Sequence, residues 1–571
     1  MKIFQERHPL GGEQHKMNLL SRFTNRVKFR DYDDFYSNFQ LNVPENFNYA
    51  YDVVDEYAKL EPDKRALVWC DDMGGEEFFS FADVKKLSDK AANFFLRLGV
   101  GKGDRVLVIL QRRYEYWITL MALSKIGAIA IPATHMLMEK DLVYRMEMAK
   151  VKAVFTVNED ELCENILRAA KKVASVQHII TLGQREGFLD FTEETERESD
   201  SLEIPYKSER SEKDILLLYF TSGTTGMPKM VCLSQRYTLG HIVTAKFWHH
   251  CEDGGLHFTL AETGWAKASW GKIFGQWLCG SAIFVYDFHG KFEPGDLLEH
   301  VEKYKITTFC APPTVYRFMI KTDLSKYALS SVKYMMTAGE ALNPEIYRQI
   351  VLKTGHKIYE GFGQTETTVV CATFADYMDI RPGSMGKPSP LYYVQLLNDE
   401  EMPVEQGETG EICIRLREPQ DGLFEGYYND PALTATVKHD GYYHLGDLAY
   451  RDSDGYYWFV GRKDDIIKSS GYRIGPFEVE SALMEHPAVL ECAITGVPDT
   501  EGVRGQLVKA TIVLAKGFEA SDALIKELQN HVKKTTAPYK YPRVIEFVEE
   551  LPKTISGKIR RVQIRETDSK H

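Results

Sequence analysis

Short apolar runs that alternate with amphipathic stretches are the feature that most limits how this chain can fold. Mostly apolar, strand-sized runs lie at 105–110, 128–131, 153–157 and 178–182. Before the first of them, Ser80 and Asp83 form a capping pattern for a stretch with helical apolar spacing that stops at Gly99. Strands with little polar surface must be covered on both faces. The pattern therefore predicts an α/β fold with mostly parallel sheets covered by helices.

The pattern changes after Gly461. Strand-like runs at 488–494, 508–514 and 544–548 surround one helical stretch at 521–534, which indicates a small α+β unit. We therefore predict a large N-terminal domain over residues 1–463 and a small C-terminal domain over residues 464–571. Residues 1–45 are polar and irregular, and we expect them to form only a lead-in.

Charge and cysteine placement disfavour several classes of protein. The net charge of −12 disfavours nucleic acid as the main partner. No apolar run reaches the roughly 18 residues of a membrane-spanning helix, and the N-terminus has no signal-peptide core. Nine single cysteines without CxxC spacing predict a cytoplasmic protein with neither a disulfide framework nor a structural zinc site. A metal site at His249-His250-Cys251 is also disfavoured, because adjacent side chains diverge.

A loop rich in hydroxyls and glycines is the most informative segment. An apolar run at 216–220 leads into Thr221-Ser222-Gly223-Thr224-Thr225-Gly226, and Lys229 follows. Glycines let backbone N–H groups approach phosphate oxygens, hydroxyls add donors, and lysine adds a positive charge. The segment is not a Walker A loop, because Pro228 precedes the lysine and the run after it is strand-like. It predicts a phosphate-binding loop, with a plain turn as the alternative.

Four further segments follow this loop in a fixed order. They are YEGFGQTET at 359–367, YHLGD at 443–447, GRKDDIIK at 461–468 running into SGYRIGP at 470–476, and PKTISGKIR at 552–560. With all five segments, the chain resembles the adenylate-forming superfamily, and most of all the medium-chain branch of the AMP-forming acyl-CoA synthetases. One departure is His444-Leu445, where many relatives carry a basic residue and threonine. Asp447 is retained.

The resemblance implies a two-step reaction with ATP, Mg²⁺ and coenzyme A as cofactors. A carboxylic acid and ATP form acyl-AMP and pyrophosphate, and the thiol of CoA then displaces AMP. We expect a medium-chain, branched or aromatic acid as substrate, no nucleic acid partner and a homodimer. The alternative is a stand-alone adenylating enzyme that passes the acyl group to a carrier protein. A regulatory nucleotide-binding protein without turnover is disfavoured, because Lys558 and Glu366 are both present.

The resemblance also implies roles for individual residues, with AMP and the acyl group bound by the large domain. It implies that Lys558, on the mobile small domain, is the catalytic cation at the α-phosphate. Asp464 is the hinge, Arg473 acts in the second domain orientation, and Glu366 holds Mg²⁺. The implied nucleotide-binding positions are Thr221, Ser222, Gly223, Thr224, Thr225, Gly226, Lys229, Glu360, Gly361, Phe362, Gly363, Gln364, Thr365, Asp447 and Arg462. The implied CoA-binding positions are Ser470, Gly471, Tyr472, Arg504, Tyr541 and Arg543.

For the acyl group, the resemblance points to Trp265, Gly339 and Gly363. Related acetyl-CoA synthetases carry tryptophan just before the Gln-Thr-Glu run, and its indole closes the acyl pocket. Gly363 stands at that place here, so we expect an open pocket and an acid larger than acetate. Phe362 is the competing possibility, since its ring could cap the pocket instead. Trp265 lies in a tryptophan-rich run that could equally be core.

Overall fold

The computed structural model describes residues 19–203, 209–221, 227–290, 292–470, 472–499, 504–553 and 559–568. Two large sheets, a smaller antiparallel sheet and a separate C-terminal domain make up this part of the chain. Both large sheets are mostly parallel and covered by helices, which confirms the predicted fold class. Among the helices described, none combines the length and apolar character needed to cross a lipid bilayer.

The first large sheet contains the predicted apolar runs as buried strands. Its strands in spatial order are Gly426–Tyr427, Lys229–Ser234, Ile215–Thr221, Ile129–Pro132, Arg105–Ile109, Ala153–Thr156, His178–Thr181 and Leu189–Asp190. The six strands from Ile215–Thr221 onward are parallel, and the two others are antiparallel additions at one edge. The phosphate-loop candidate thus begins at the end of a parallel strand, where ligands bind in open α/β sheets.

The helix expected after Ser80 begins at the predicted cap. Ser80 accepts the backbone N–H of Asp83 at 3.2 Å and Asp83 accepts that of Ser80 at 2.9 Å, so the predicted capping box is formed. The helix runs over Phe81–Arg97, and Gly99 follows it with φ of +75°. Further helices of the large domain are Tyr32–Asn38, Glu56–Leu60, Glu115–Lys125, Glu139–Ala149, Asp160–Ala170, Phe191–Glu196, Gln235–Ile242, Lys267–Ser269, Gly275–Leu278, Pro294–Lys303, Pro313–Met319, Pro344–Thr354 and Pro431–Ala435.

The second large sheet brings distant segments together. Its spatial order is Lys387–Pro388, Cys371–Ala372, Ile358–Phe362, Tyr334–Ala338, Thr308–Cys310, Leu256–Thr259, Ala282–Asp287, Arg65–Asp71 and Glu76–Ser80. The six central strands are parallel. Gly339 directly follows Tyr334–Ala338, and Gly363 directly follows the neighbouring strand Ile358–Phe362. Both glycines therefore lie at the same edge of the sheet.

The smaller sheet is antiparallel. Tyr393–Leu397, Gly410–Arg415, Tyr442–Arg451 and Lys438–His439 pair in that order, and Tyr457–Arg462 also pairs with Tyr442–Arg451. No pattern identified in the sequence predicts this sheet. Its longest strand carries Asp447 and its last strand carries Arg462, so it supplies part of the candidate site.

The C-terminal domain has a core of its own, built round Val479, Ile494, Ile512 and Leu528. It contains the hairpin strands Ile467–Ser469 and Tyr472–Ile474, and a sheet of Val489–Pro498, Gln506–Leu514 and Val544–Val548. Its helices are Pro476–Met484, Asp522–Thr535 and Arg561–Asp568. The boundary expected at residues 463 and 464 falls between Tyr457–Arg462 and this hairpin, and it stays a prediction.

Candidate active site

The strands that flank the hydroxyl-rich loop form an antiparallel hairpin. Thr221 ends one strand and pairs with Lys229, the first residue of the next. The strand after Lys229 confirms that the segment does not continue into the helix of a Walker A loop. The loop positions Ser222, Gly223, Thr224, Thr225 and Gly226 lie outside the described residues.

Lys229 faces a buried acidic group. Its Nζ lies 5.0 Å from the ring centroid of Tyr427, and the Tyr427 hydroxyl donates to Glu366 Oε1 at 3.0 Å. Burial raises the pKa of Glu366, while the Tyr427 hydrogen bond and the charges of Lys229 and Arg462 act to lower it. Among the ion pairs of the described residues, none includes Glu366. The arrangement places a buried carboxylate beside the phosphate-loop hairpin.

Gln364 links the segment at 359–367 to Asp447 in the segment at 443–447. Its Nε2 donates to Asp447 Oδ2 at 2.6 Å and to the Leu445 carbonyl at 2.7 Å, and its Oε1 accepts the Tyr443 hydroxyl at 2.8 Å. Asp447 is the register partner of Arg462, whose Nε lies 3.8 Å from Asp447 Oδ1. Three separated segments therefore meet round one carboxylate, which could accept hydrogen bonds from a sugar.

Packing and burial constrain the residues on either side of Gln364. A Cβ at Gly361 would lie 2.4 Å from the Trp248 ring, so only glycine fits there. Burial raises the pKa of Glu360 to about 8. One Glu360 oxygen accepts the Leu342 N–H at 3.1 Å, and the other has no hydrogen-bond partner among the described residues. Thr365 lies half-buried in the turn that leads to Glu366.

The predicted acyl residues differ in how much space surrounds them. Trp265 is half-buried, and Lys267 on the same segment donates to the Ala338 carbonyl at 3.2 Å, next to Gly339. Gly339 has φ of +104°, and a Cβ there would meet no atom within 4 Å. At Gly363, by contrast, a Cβ would lie 2.6 Å from the Thr368 carbonyl oxygen. The assignment of Gly363 to the acyl pocket stays a prediction, but the glycine there avoids a backbone clash.

Phe362 has an aromatic neighbour in the smaller sheet. Its ring centroid lies 6.2 Å from that of Phe459, and both side chains are half-buried. Phe459 in turn lies 6.2 Å from Phe477 of the C-terminal domain. Phe362 therefore lies in a row of aromatic rings that extends to the C-terminal domain, and its predicted role at the acyl pocket stays a prediction.

The predicted hinge residue adjoins the nucleotide group. Asp464 Oδ1 accepts from Arg462 Nε at 3.3 Å. Arg473 is exposed and pairs with Asp399 of the large domain. In this conformation Arg473 therefore contacts a surface carboxylate. Lys558 lies outside the described residues.

Most of the predicted CoA-binding residues share one region of the C-terminal domain. The Ser470 N–H donates to the Arg504 carbonyl at 2.9 Å. Tyr472 stacks on Tyr539 with ring centroids 4.1 Å apart. Two and four residues further on, the Arg543 guanidinium lies 4.5 Å from the Tyr541 ring. Gly471 lies outside the described residues.

Four residues that join these groups were not assigned roles from the sequence. Tyr427 donates to Glu366, and Tyr443 donates to Gln364. Lys533 lies with its Nζ 4.0 Å from the Tyr541 ring, and Tyr539 stacks on Tyr472. Tyr443 stands within a motif segment and Lys533 within the basic stretch, so both could have been found. Tyr427 could not, because only strand pairing brings it to the phosphate-loop hairpin.

Comparison with known proteins gives two family matches. Residues 54–428 match the AMP-binding enzyme family, and residues 478–558 match the AMP-binding enzyme C-terminal domain. The first match alone covers more than half of the chain and includes the segments at 221–229 and 359–367, and the second match ends at Lys558.

Curated relatives match over nearly the whole length. "Acyl-coenzyme A synthetase ACSM3, mitochondrial" of Mus musculus is 41% identical over 552 residues, 95% of this chain and 94% of the relative. "Acyl-coenzyme A synthetase ACSM5, mitochondrial" of Homo sapiens is 41% identical over 535 residues, with 92% and 91% covered.

Among solved structures, the anthranilate CoA ligase AuaEII in complex with anthranoyl-AMP has a TM-score of 0.84 at 28% identity. The alignment covers 92% of this chain and 98% of that one. The acyl-CoA synthetase of Brucella canis has a TM-score of 0.72 at 30% identity, with 95% and 99% covered.

Proposed function

We propose, from the premise that this chain belongs to the AMP-binding enzyme family, that it activates a carboxylic acid larger than acetate in the site round Glu366 and Asp447. The reaction class is that of an AMP-forming acid–CoA ligase, with ATP and CoA as substrates. The observation that supports this location most strongly is the contact of Gln364 with Asp447, beside Arg462. That contact joins three motif segments at one carboxylate.

The chemistry divides into two steps. In the first, a carboxylate oxygen of the acid forms a bond to the α-phosphorus of ATP and the bond to pyrophosphate breaks, which gives acyl-AMP. In the second, the sulfur of CoA forms a bond to the acyl carbon and the bond to AMP breaks, while the thiol proton passes to solvent. Both steps bring anions together, so positioning and positive charge supply most of the catalysis.

The residues of the site divide this work. We propose that Lys229 neutralises charge on the β- and γ-phosphates, and that Asp447 accepts the ribose hydroxyls while Gln364 and Arg462 hold it in place. Lys558 would supply the cation at the α-phosphate in the first step. Asp464 would be the hinge about which the small domain turns, so that the CoA-binding surface replaces Lys558 at the site. Arg473 would act in this second orientation.

Glu366 has the properties expected of a Mg²⁺ ligand. It is buried, its Oε1 accepts the Tyr427 hydroxyl, and none of the described ion pairs includes it. Hard oxygen ligands of this kind suit Mg²⁺, which usually keeps several waters and bridges to phosphate. Bound there, Mg²⁺ would neutralise phosphate charge. A rise in the Mg²⁺ concentration that gives half-maximal pyrophosphate release in Glu366→Gln would support the assignment, and an unchanged value would contradict it.

The acid is the part of the proposal that needs its own experiment. The Mus musculus and Homo sapiens relatives are named acyl-CoA synthetases, and the solved neighbour AuaEII is an anthranilate ligase. The name of AuaEII supports an aromatic acid, and a medium-chain or branched acid stays a prediction from the motif segments. Each buried CH₂ is worth about 0.8 kcal/mol, close to fourfold in kcat/KM, so chain length should be resolved clearly. We expect acids from butanoate to octanoate, or simple aromatic acids, to exceed acetate in pyrophosphate release. A preference for acetate would refute the proposal.

A carrier protein as acyl acceptor is the second candidate. Tyr472, Tyr541 and Arg543 favour CoA, because aromatic rings and a guanidinium suit its adenine and phosphates. Purified enzyme supplied with acyl-AMP should form acyl-CoA with free CoA and should not acylate a 4′-phosphopantetheine-bearing carrier at a comparable rate. The reverse result would establish the second candidate.

Compartment and assembly are also open to direct measurement. The relatives are named mitochondrial, which speaks against the cytoplasmic location expected from the sequence, and we propose a mitochondrial location instead. Fractionation of cells that express the chain without a tag would test it. The expected homodimer stays a prediction, and light scattering of the purified protein measures it.

A further inference from the structure

Three side chains with metal-binding atoms converge on one face of the smaller sheet. Glu411 and Cys413 lie two residues apart on Gly410–Arg415, and His444 is the register partner of Cys413 on Tyr442–Arg451. Residues two apart on a strand share a face, and directly paired residues on neighbouring strands share it too.

The spacing of the three groups suits a small tetrahedral cation. Cys413 Sγ lies 3.4 Å from His444 Nδ1, and His444 Nδ1 lies 3.6 Å from Glu411 Oε2. All three ligand atoms are within 4.8 Å of one another. A tetrahedral zinc ion, with bonds of about 2.0–2.3 Å, holds its ligand atoms roughly 3.3–3.6 Å apart. The set therefore needs little movement to bind such an ion.

A cationic group already lies at this place. The Lys463 Nζ is 2.8 Å from Glu411 Oε2, and its side chain is half exposed while that of Glu411 is buried. The Lys463 ammonium thus occupies a position where positive charge is stabilised. Because its side chain is half exposed, an ion from solvent can reach the carboxylate.

His444 can offer its lone pair to this position. Its Nδ1 faces Cys413 and Glu411, and its Nε2 has no hydrogen-bond partner among the described residues. The tautomer with the proton on Nε2 leaves Nδ1 as a ligand. On the solvent side the ring of His439 stacks on His444 at 4.1 Å. A second group of possible metal-ligand atoms, nearer to solvent, comprises Glu401, His439 and His444.

We propose that Glu411, Cys413 and His444 form a binding site for a divalent cation of the zinc type. Thiolate and imidazole favour such borderline ions over Mg²⁺. On binding, the Cys413 thiol loses its proton to solvent and its sulfur bonds to the metal, while the Lys463 ammonium leaves Glu411 Oε2. One water of the ion remains as fourth ligand, so charges and atoms balance without any other reactant.

The site is connected to the proposed catalytic residues. Glu411 Oε1 accepts the N–H of Gly446, which precedes Asp447, and Lys463 precedes the proposed hinge residue Asp464. Release of Lys463 from Glu411 should therefore disturb the hinge, and we expect zinc to inhibit acyl-CoA formation. This consequence rests on the proposed function, whereas metal binding itself does not.

A second cluster of similar composition provides a matched control. His249, Cys251 and His257 also lie within 4.8 Å of one another, and all three are buried. Both ring nitrogens of His257 hydrogen-bond to threonines, at 2.7 Å to Thr308 and 2.8 Å to Thr259. No exposed cationic side chain pairs with this cluster in the described part of the chain. Cys251→Ser thus removes an equally buried thiol beside histidines without touching the proposed site.

Cobalt(II) titration of the purified full-length protein tests the site directly. Thiolate-bound cobalt gives an intense charge-transfer absorption, and competition with a chromophoric zinc chelator gives the zinc affinity. Loss of a partner of a metal ligand costs about 10–100-fold in affinity, so Cys413→Ser, which removes a ligand, should cost at least about 100-fold and abolish the absorption. His444→Gln should weaken zinc binding similarly, and Cys251→Ser should leave both signals intact.

Several results would overturn the proposal. They are the absence of a thiolate–cobalt absorption in the folded wild-type protein, zinc affinity unchanged in both Cys413→Ser and His444→Gln, and loss of the absorption in Cys251→Ser. Circular dichroism establishes that each variant is folded, and His444→Gln decides if Cys413→Ser does not fold.

Zinc inhibition of acyl-CoA formation tests the link to catalysis. It should need at least about 10-fold more zinc in Cys413→Ser, because that variant has lost a ligand. Equal inhibition in both proteins would overturn the link to catalysis.

Discussion

Replacing Asp447 by asparagine tests whether this carboxylate binds the ribose of ATP. The side chain is buried, Gln364 donates to its Oδ2 at 2.6 Å, and Arg462 Nε lies 3.8 Å from its Oδ1. Asparagine keeps the shape but removes the charge and turns one acceptor into a donor. It can still accept from Gln364, but it can no longer accept two ribose hydroxyls as well.

The size of the effect follows from the hydrogen bond that is lost. A hydrogen bond to a charged acceptor contributes about 1.5–3 kcal/mol, which corresponds to roughly 10–150-fold in rate. We therefore expect Asp447→Asn to lower kcat/KM for ATP by about that factor. The KM for the acid should change much less, because the acid does not contact Asp447 in the proposed arrangement.

ATP–pyrophosphate exchange with ATP, 2′-deoxy-ATP and 3′-deoxy-ATP separates the sugar contact from general damage. The wild-type enzyme should lose activity with at least one deoxy analogue. With that analogue, the activity of Asp447→Asn should be only slightly below that of the wild type. Asp454→Asn is the matched control, since it removes an exposed, arginine-paired carboxylate from the turn that joins the same two strands. If the Asp447→Asn penalty is as large with both deoxy analogues as with ATP, the ribose role is refuted.

Three further predictions address the catalytic cation, the hinge and the core. Lys558→Ala should reduce acyl-AMP formation by about 10²–10³-fold yet spare thioester formation from supplied acyl-AMP; near wild-type adenylation would contradict the role of Lys558. Asp464→Pro, which fixes φ near −65°, should let acyl-AMP form but slow acyl-CoA formation, and equal loss of both half-reactions in a folded variant would count against the hinge. Lys125→Met should destabilise the large domain by about 3–5 kcal/mol in urea unfolding, because it removes the buried ammonium shared by Asp55 and Asp89. A loss below about 1 kcal/mol would show that those carboxylates are stabilised otherwise.

Local signals in the sequence were sufficient for much of the fold. The capping box at Ser80, the apolar strand at Arg105–Ile109 and the helix Asp522–Thr535 each depend on residues a few positions apart. For that reason they could be identified without knowledge of the partners. The parallel arrangement also followed, since buried strands joined by helices have few alternatives. The order of the strands did not follow, because it depends on contacts between distant segments.

The expectation of a mere lead-in at residues 1–45 was wrong for its described part. Tyr32–Asn38 is a helix with a buried Phe35, whose ring lies 4.5 Å from Phe247 and 5.1 Å from Tyr377. Phe35 and Phe39 both pack against Phe247, more than 200 positions away, and no local pattern reports that.

Gly363 shows why the reason for a glycine matters as much as its presence. The sequence suggested that a missing side chain opens the acyl pocket there, and Gly363→Trp would seem the natural test. A Cβ at this position lies 2.6 Å from the Thr368 carbonyl, closer than real side chains approach, so the tryptophan would displace the turn that carries Gln364 and Glu366. Loss of long-chain activity in that variant would report damage to the nucleotide site as much as a filled pocket.

Gly339, by contrast, has open space round it, because a Cβ there meets no atom within 4 Å. Its φ of +104° means that even alanine there would strain the backbone. The acyl preference is therefore best measured on the unaltered enzyme, with the length and branching of the acid as the variable.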